Sequence, residues 1–163
     1  MNLALLVLRL VFGLLFVGHG SQKLFGVLGG YGPRGTASFL EGMGFHPALP
    51  MAFLVGASEA GGGLLLVLGL VQPLAAVLII GAMATAAVSA HWGKGIWAPE
   101  GIEYPLICAT IAFALAGLGP GRWSLDRVLP IHLSGTWWAL GALAVGLSGS
   151  ASALLTRKRP VAS

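Results

Sequence analysis

Six side chains in this sequence are of the types that hold or move protons: His19, Lys23, Glu59, His91, Glu103 and Tyr104. They are the acids, bases and hydrogen-bond donors of general acid–base chemistry. Each lies within or at the edge of a long apolar run, where an ionisable group is costly enough to be a functional candidate by default. Arg9 has the same standing in the first run. At about 100° per residue, Arg9, Gly13, Phe16, Gly20 and Lys23 fall on one stripe of a helix, and His19 lies one turn before Lys23. Glu59 is the single charge of its run, set in GASEAGGG with Gly56, Gly62 and Gly63 on its face. Four glycines in eight residues make a poor helix in water. Close approach of another helix explains them, and that helix would bring the carboxylate a partner.

Each group also has a plainer reading. Lys23 and His91 stand near run ends, where they can snorkel to the interface. Arg9 can snorkel too, or pair with Glu59. Glu103 can be a loop residue, and Tyr104 can belong to an interfacial belt with Trp92 and Trp97. Glu59 is the hardest to explain this way. His19, His91, Glu59 and Glu103 are metal-ligand types, but no HExxH or ExxH spacing joins them, so no metal is assigned. No phosphate loop, dinucleotide fingerprint or GxSxG elbow occurs. Cys108, the one cysteine, excludes an internal disulfide or a CxxC pair. Any electrons that pass here are not carried by the chain's own thiols.

The elements that must position these groups follow from composition. Charged residues are 9% of the 163 and apolar residues 56%, against roughly 25% charged in soluble domains. Too few charges exist for an aqueous shell. The net charge of +4 is scattered between apolar runs and forms no basic stripe, so nucleic acid is not a partner. Apolar runs at about 3–25, 48–70, 74–92, 102–118 and 134–155 approach the ~20 residues that cross a bilayer, and in lipid such runs must be helices. The run at 3–25 has no basic residue before it and no clean cleavage site after it, so it is read as a retained span. Pro73 suits the start of the third helix. An amphipathic turn is expected around 36–43, capped by Thr36 or Ser38. The fold class expected is all-α, a polytopic membrane bundle with a four-helix core and a fifth transmembrane helix at 134–155. With five spans, Lys23, Arg34, Lys94, Arg157, Lys158 and Arg159 share one side and Arg9, Arg122 and Arg127 the other. The amino terminus is then outside; with four spans the assignment reverses. Antiparallel alternation sets His19, Lys23, His91, Glu103 and Tyr104 toward one side of the membrane, with Glu59 deeper.

LRLVFGLLFVGHGSQKLFG at the start, Glu59 among glycines, His91 closing the third span, Glu103–Tyr104 opening the fourth and GPGRWSLD at 119–126 together resemble the DoxX family. The resemblance covers about residues 5–127. It implies a DoxX-like four-helix membrane domain at 1–127, with 128–163 an extension that holds the fifth helix and a basic tail. Some members of the family are similar to the membrane subunit of a thiosulfate:quinone oxidoreductase. The implied function is therefore the membrane subunit of a quinone-linked oxidoreductase in a bacterial inner membrane. In that role Glu59, His19, His91 and Glu103 would be catalytic, and Lys23, Tyr104 and Arg9 would bind the quinone cofactor. A buried carboxylate can relay the proton, and His, Tyr or Lys can donate to the quinone oxygens. No haem pair, flavin fingerprint or nicotinamide signature is present, so a second oxidoreductase subunit would supply the electrons. The partners expected are that subunit, the lipid bilayer and, as an open alternative, further copies of this chain. Two other functions stand beside this one: a non-catalytic anchor or scaffold for an oxidoreductase or stress-response complex, and a small-solute or proton-coupled carrier. The carrier lacks the inverted repeat that would favour it.

Overall fold

The computed structural model describes residues 2–97 and 100–158, and all regular structure among them is helical apart from one isolated bridge between Phe45 and Arg157. The elements are α1 (Asn2–Phe25), α2 (Gly32–Gly42), α3 (Ala48–Leu68), α4 (Gln72–Ala86, prolonged by a π-helical segment Ala87–His91), α5 (Glu103–Leu118), α6 (Leu125–Val128) and α7 (Thr136–Leu155). The protein is an all-α membrane bundle. Among the described residues, four helices are long and apolar enough to cross a bilayer: α1, α3, α4 with its π segment, and α7. The short member is α5, whose 16 residues span roughly 24 Å against a hydrocarbon core of about 30 Å.

α4 is the central element and packs on α3, α5 and α7. Its buried side, with Ala75, Ala76, Ile79, Ile80 and Met83, meets Leu66 of α3, Ala112 and Leu115 of α5, and Ala139 and Ala142 of α7 in one apolar core. Large apolar side chains such as Val11, Leu14, Leu54, Ile107 and Leu147 point outward, a surface that suits lipid and would be a liability in water. α7 begins beside the end of α5, where Gly135 N–H donates to the Gly117 carbonyl. It ends at the α2–α3 corner, where Lys158 N–H donates to Gly44, Arg157 Nε donates to Met43, and the Arg157 guanidinium lies over the Phe45 ring. It therefore runs the length of the bundle, antiparallel to α5. Part of the basic cluster expected to end the fifth span fastens it; Arg159 lies outside the described residues.

The tightest packing joins α1 to α3. A Cβ on Gly63 would sit 2.5 Å from the Gly13 carbonyl oxygen, and one on Gly20 would sit 2.4 Å from the Ala60 nitrogen. The two backbones touch, as the glycines around Glu59 require. α4 starts with Pro73 in its first turn, as expected, and α3 ends at Gly69 in the left-handed region. One expectation fails. The amphipathic segment is a full helix that starts at Gly32, and neither Thr36 nor Ser38 caps it. Pro33 in its first turn sets the start instead, because its fixed φ and missing N–H suit that position.

Candidate functional site: a polar pocket between the helices

At one end of the bundle, α1, α2, α3, the α4 π segment and α5 enclose a cavity of about 230 Å³. His19, Lys23, Glu59, His91 and Tyr104 all border it, among apolar walls that include Phe16, Val55 and Met83. At its heart Lys23 Nζ donates to Glu59 Oε2, forming an ion pair between α1 and α3. The side chain of Glu59 is 5% exposed and that of Lys23 is 29% exposed, so the pair joins the bundle interior to its edge. Local packing makes this possible. Gly56 lies one helical turn before Glu59, and a Cβ there would stand 3.2 Å from Lys23 Cβ. A Cβ there would also stand 2.8 Å from Leu24 Cγ, so the bare backbone at 56 lets the Lys23–Leu24 stretch of α1 lie against α3, within reach of the carboxylate. The pair also meets the condition under which charges persist in lipid, since each neutralises the other.

The remaining groups close the pocket. Tyr104 Oη and His19 Nε2 are 3.4 Å apart, a long and weak hydrogen bond that links α5 to α1. His91 ends the π segment, and its Nδ1 lies 2.7 Å from the Glu100 carbonyl oxygen. Within α4, the Thr85 hydroxyl donates to the Gly81 carbonyl and the Ser89 hydroxyl to the Thr85 carbonyl, bonds that compete with the helical ladder just where α4 widens. The loop beyond is braced by Lys94 Nζ, 2.5 Å from Glu100 Oε2. The hydrogen bond and charge of Lys94 hold the exposed Glu100 carboxyl below its usual range. Among the described residues, no three His, Cys, Asp or Glu side chains gather as a metal cage.

Two of the expected site residues are elsewhere. Arg9 is on the predicted stripe and is 1% exposed, but it sits near the opposite end of α1 and neither borders the pocket nor pairs with Glu59. Its guanidinium donates to the carbonyls of Leu66 (2.9 Å), Val67 (3.2 Å), Trp123 (3.0 Å) and Pro120. It clasps the end of α3 to the 119–126 loop, and its fork of donors is consumed there. Asp126 completes this knot: its Oδ1 accepts from Val71 N–H at 2.9 Å and its own N–H donates to Gly69. Glu103 opens α5 but does not border the pocket; Tyr104 and Pro105 do. Sequence reasoning left out Thr36, Phe39, Leu40 and Met43 as pocket walls. The amphipathic pattern of 36–43 was the available sign. It also assigned no role to Asp126 or to Gln72, both fully buried.

Fold and pocket together define a class, an integral membrane helix bundle with an ionisable pocket inside it. The DoxX family model matches residues 4–92, more than half of the chain, and the protein belongs to the DoxX family. The match spans α1 to the end of the π segment, so it includes His19, Lys23, Glu59 and His91, while α5 to α7 lie beyond it. No curated protein and no solved structure matches the chain.

Proposed function

We propose that the protein is the membrane subunit of a quinone-linked oxidoreductase of a bacterial inner membrane, with the pocket as its quinone and proton site and a redox-active partner subunit as the source of electrons. The observation that carries this reading is the Lys23–Glu59 pair, a buried carboxylate joined to a half-buried ammonium on the wall of a cavity rather than in solid packing. The residues suit the ligand. His19, Lys23, His91 and Tyr104 are able to donate to ring oxygens, and Phe16, Val55 and Met83 offer the apolar faces a ring packs on. A bound quinone supplies the acceptor for two electrons and two protons. In this reading the pair would relay protons: Lys23 Nζ, the more exposed partner, would pass its proton to Glu59 Oε2 and recover one from the membrane edge, once for each of the two protons the quinone takes up.

Titration of the purified protein with a quinone tests the reading. Glu59→Gln keeps the side-chain size and removes the charge that holds the Lys23 ammonium at the pocket wall, and should weaken binding roughly tenfold or more, the worth of the charge-assisted hydrogen bond from Lys23 to the ring that is lost when the ammonium turns to the interface. Unchanged affinity would refute the site. The scaffold reading has one observation in its favour: the pair lies on the tightest helix contact, where an assembly role alone would put it. That reading predicts lower stability for Glu59→Gln and no quinone binding by either protein.

A further inference from the structure

A second cavity, of about 190 Å³, lies between α3, α4 and α7 and is almost wholly apolar. α3 and α7 both pack on α4 but make at most marginal contact with each other, and the cavity fills the slot this leaves. Leu40, Val55, Ala82 and Thr85 border this cavity and the polar pocket alike, so the two share a wall. On the α7 side the wall is cut back by Gly146, Gly149 and Ser150. A Cβ on Gly149 would meet nothing within 4 Å, and the residue is exposed at the slot's outer edge. Each cavity alone is smaller than the roughly 300–1,000 Å³ of ordinary ligand sites, and the two together reach that range.

We infer that the α3–α4–α7 slot holds the hydrocarbon tail of the ligand whose polar ring occupies the Lys23–Glu59 pocket. This rests on the proposed function and makes its ligand a long-tailed amphiphile that enters sideways from the bilayer. The adjacency of the two cavities across a shared wall supports this occupant, and so does their chemistry, which changes from ionisable to apolar across the shared side chains. It also gives α7, which lies outside the family match, a direct part in ligand choice. Thr85 is the polar edge of the slot, with its hydroxyl turned to the Gly81 carbonyl and 3.0 Å from Ser150 Oγ, so it offers little to a head group from the tail side.

The experiment compares two benzoquinones that share a ring, one without a tail and one with a ten-carbon tail. Binding is measured by equilibrium dialysis in detergent for the wild type and for Gly149→Phe. Each affinity is referred to the free probe concentration, with the partition of each probe into protein-free micelles measured separately, and the variant is then compared with wild type as a ratio. Wild type should prefer the tailed probe roughly three- to tenfold, a modest gain because the tail exchanges one apolar surrounding for another. Gly149→Phe, which fills open space, should lose that preference and bind the tailless probe as before. Ala153→Phe, on the same wall, should do likewise if Gly149→Phe elutes as aggregate. A preserved preference in a folded variant overturns the inference, as does equal weakening of both probes. Wild type that binds the tailless ring with no gain from the tail refutes the slot and leaves the quinone site standing. Wild type that binds neither removes both. A phospholipid that co-purifies with wild type and is lost from Gly149→Phe, with quinone preference unchanged, assigns the slot to a lipid chain and overturns the inference.

Discussion

Gly63→Ala is the most direct test of how the pocket is built. The added methyl would lie 2.5 Å from the Gly13 carbonyl oxygen, 2.7 Å from the Val17 nitrogen and 2.9 Å from Phe16 Cβ, where ordinary contact begins at 3.4 Å. The shortfall is about 0.9 Å against a backbone oxygen, which no rotamer change relieves. α1 and α3 must separate along the most extensive helix pair of the fold, and a gap of 0.5–1 Å forfeits a quarter to a half of each contact's attraction. Overpacking of this kind costs about 1–3 kcal/mol, and backbone-to-backbone conflict places Gly63→Ala toward the upper end. Replacing glycine in a helix also returns about 1 kcal/mol of propensity, so the control must receive the same gain. Gly149→Ala does: it is in mid-helix, and its methyl meets nothing within 4 Å. The difference between the two variants then isolates the steric cost, and about 2–3 kcal/mol corresponds to roughly 4–12 °C in Tm for a chain of this size. Cys108, the one cysteine and 4% exposed, makes the assay simple. A thiol-reactive fluorophore reports unfolding in detergent as that side chain is released. If Gly63→Ala and Gly149→Ala unfold at the same temperature, the helices are not in backbone contact at Gly13–Gly63, and the geometry that brings Lys23 to Glu59 loses its support.

Three other outcomes follow from the charges. Lys23→Met should destabilise more than Glu59→Gln, because it strands a carboxylate that is 5% exposed, whereas a lone Lys23, 29% exposed, can turn to the interface; removing one partner of a buried pair costs up to about 3–5 kcal/mol, the double variant should recover most of the loss, and equal costs in the Cys108 assay would refute the asymmetry. Arg9→Met should yield no monodisperse protein, since it takes the donor from the carbonyls of Val67, Pro120 and Trp123 and leaves Leu66 only its bond from Gly69, at about 1–3 kcal/mol for each buried unmet group, and Arg9→Lys should rescue it only in part because an ammonium lacks the fork; wild-type elution of Arg9→Met in size-exclusion chromatography would exclude the clasp. The Glu100 carboxyl is held low by Lys94, so the brace on the loop is complete at neutral pH and is lost as pH falls through that depressed range; the tryptophan fluorescence of wild type should show an acid transition that Glu100→Gln lacks, and identical acid titrations would refute it.

What the sequence made legible is what lipid forces on a chain. Apolar runs in a bilayer must be helices, so the spans could be placed, and a 3.6-residue period then put Arg9, Gly13, Phe16 and Gly20 on one buried face and Gly56, Glu59, Gly62 and Gly63 on another. Pairing was not legible, because periodicity gives the face of a helix and not what lies opposite it. Arg9 and Lys23 share a stripe, yet only Lys23 reaches Glu59, since partners depend on depth along the axis. Glu103 and Tyr104 are adjacent and only the second meets the pocket, a difference set by how α5 is rotated. The contribution of α2 was hidden for another reason: an amphipathic helix shows that it has an apolar side, and its sequence does not say whether that side covers lipid or a pocket.

The two charges of α1 make the pocket depend on a contact far from it. Arg9 holds α1 to the last carbonyls of α3, and Lys23 holds it to Glu59 of the same helix. Between them lie Gly13 and Gly20, roughly 21 Å of helix from pin to pin. Small residues let two helices come close, but a smooth contact offers little to stop one from sliding along the other; ion and hydrogen-bond pins at both ends fix the register. α1 and α3 therefore form a rigid frame, and the buried carboxylate keeps its place through a clasp that does not touch the site. The opposite wall is joined differently, by the 3.4 Å contact between Tyr104 and His19, by a π segment that ends in a loop, and by an exposed Lys94–Glu100 brace. These are weak links, so the wall that faces the pair is the one that yields while the α1–α3 frame keeps Lys23 and Glu59 in place.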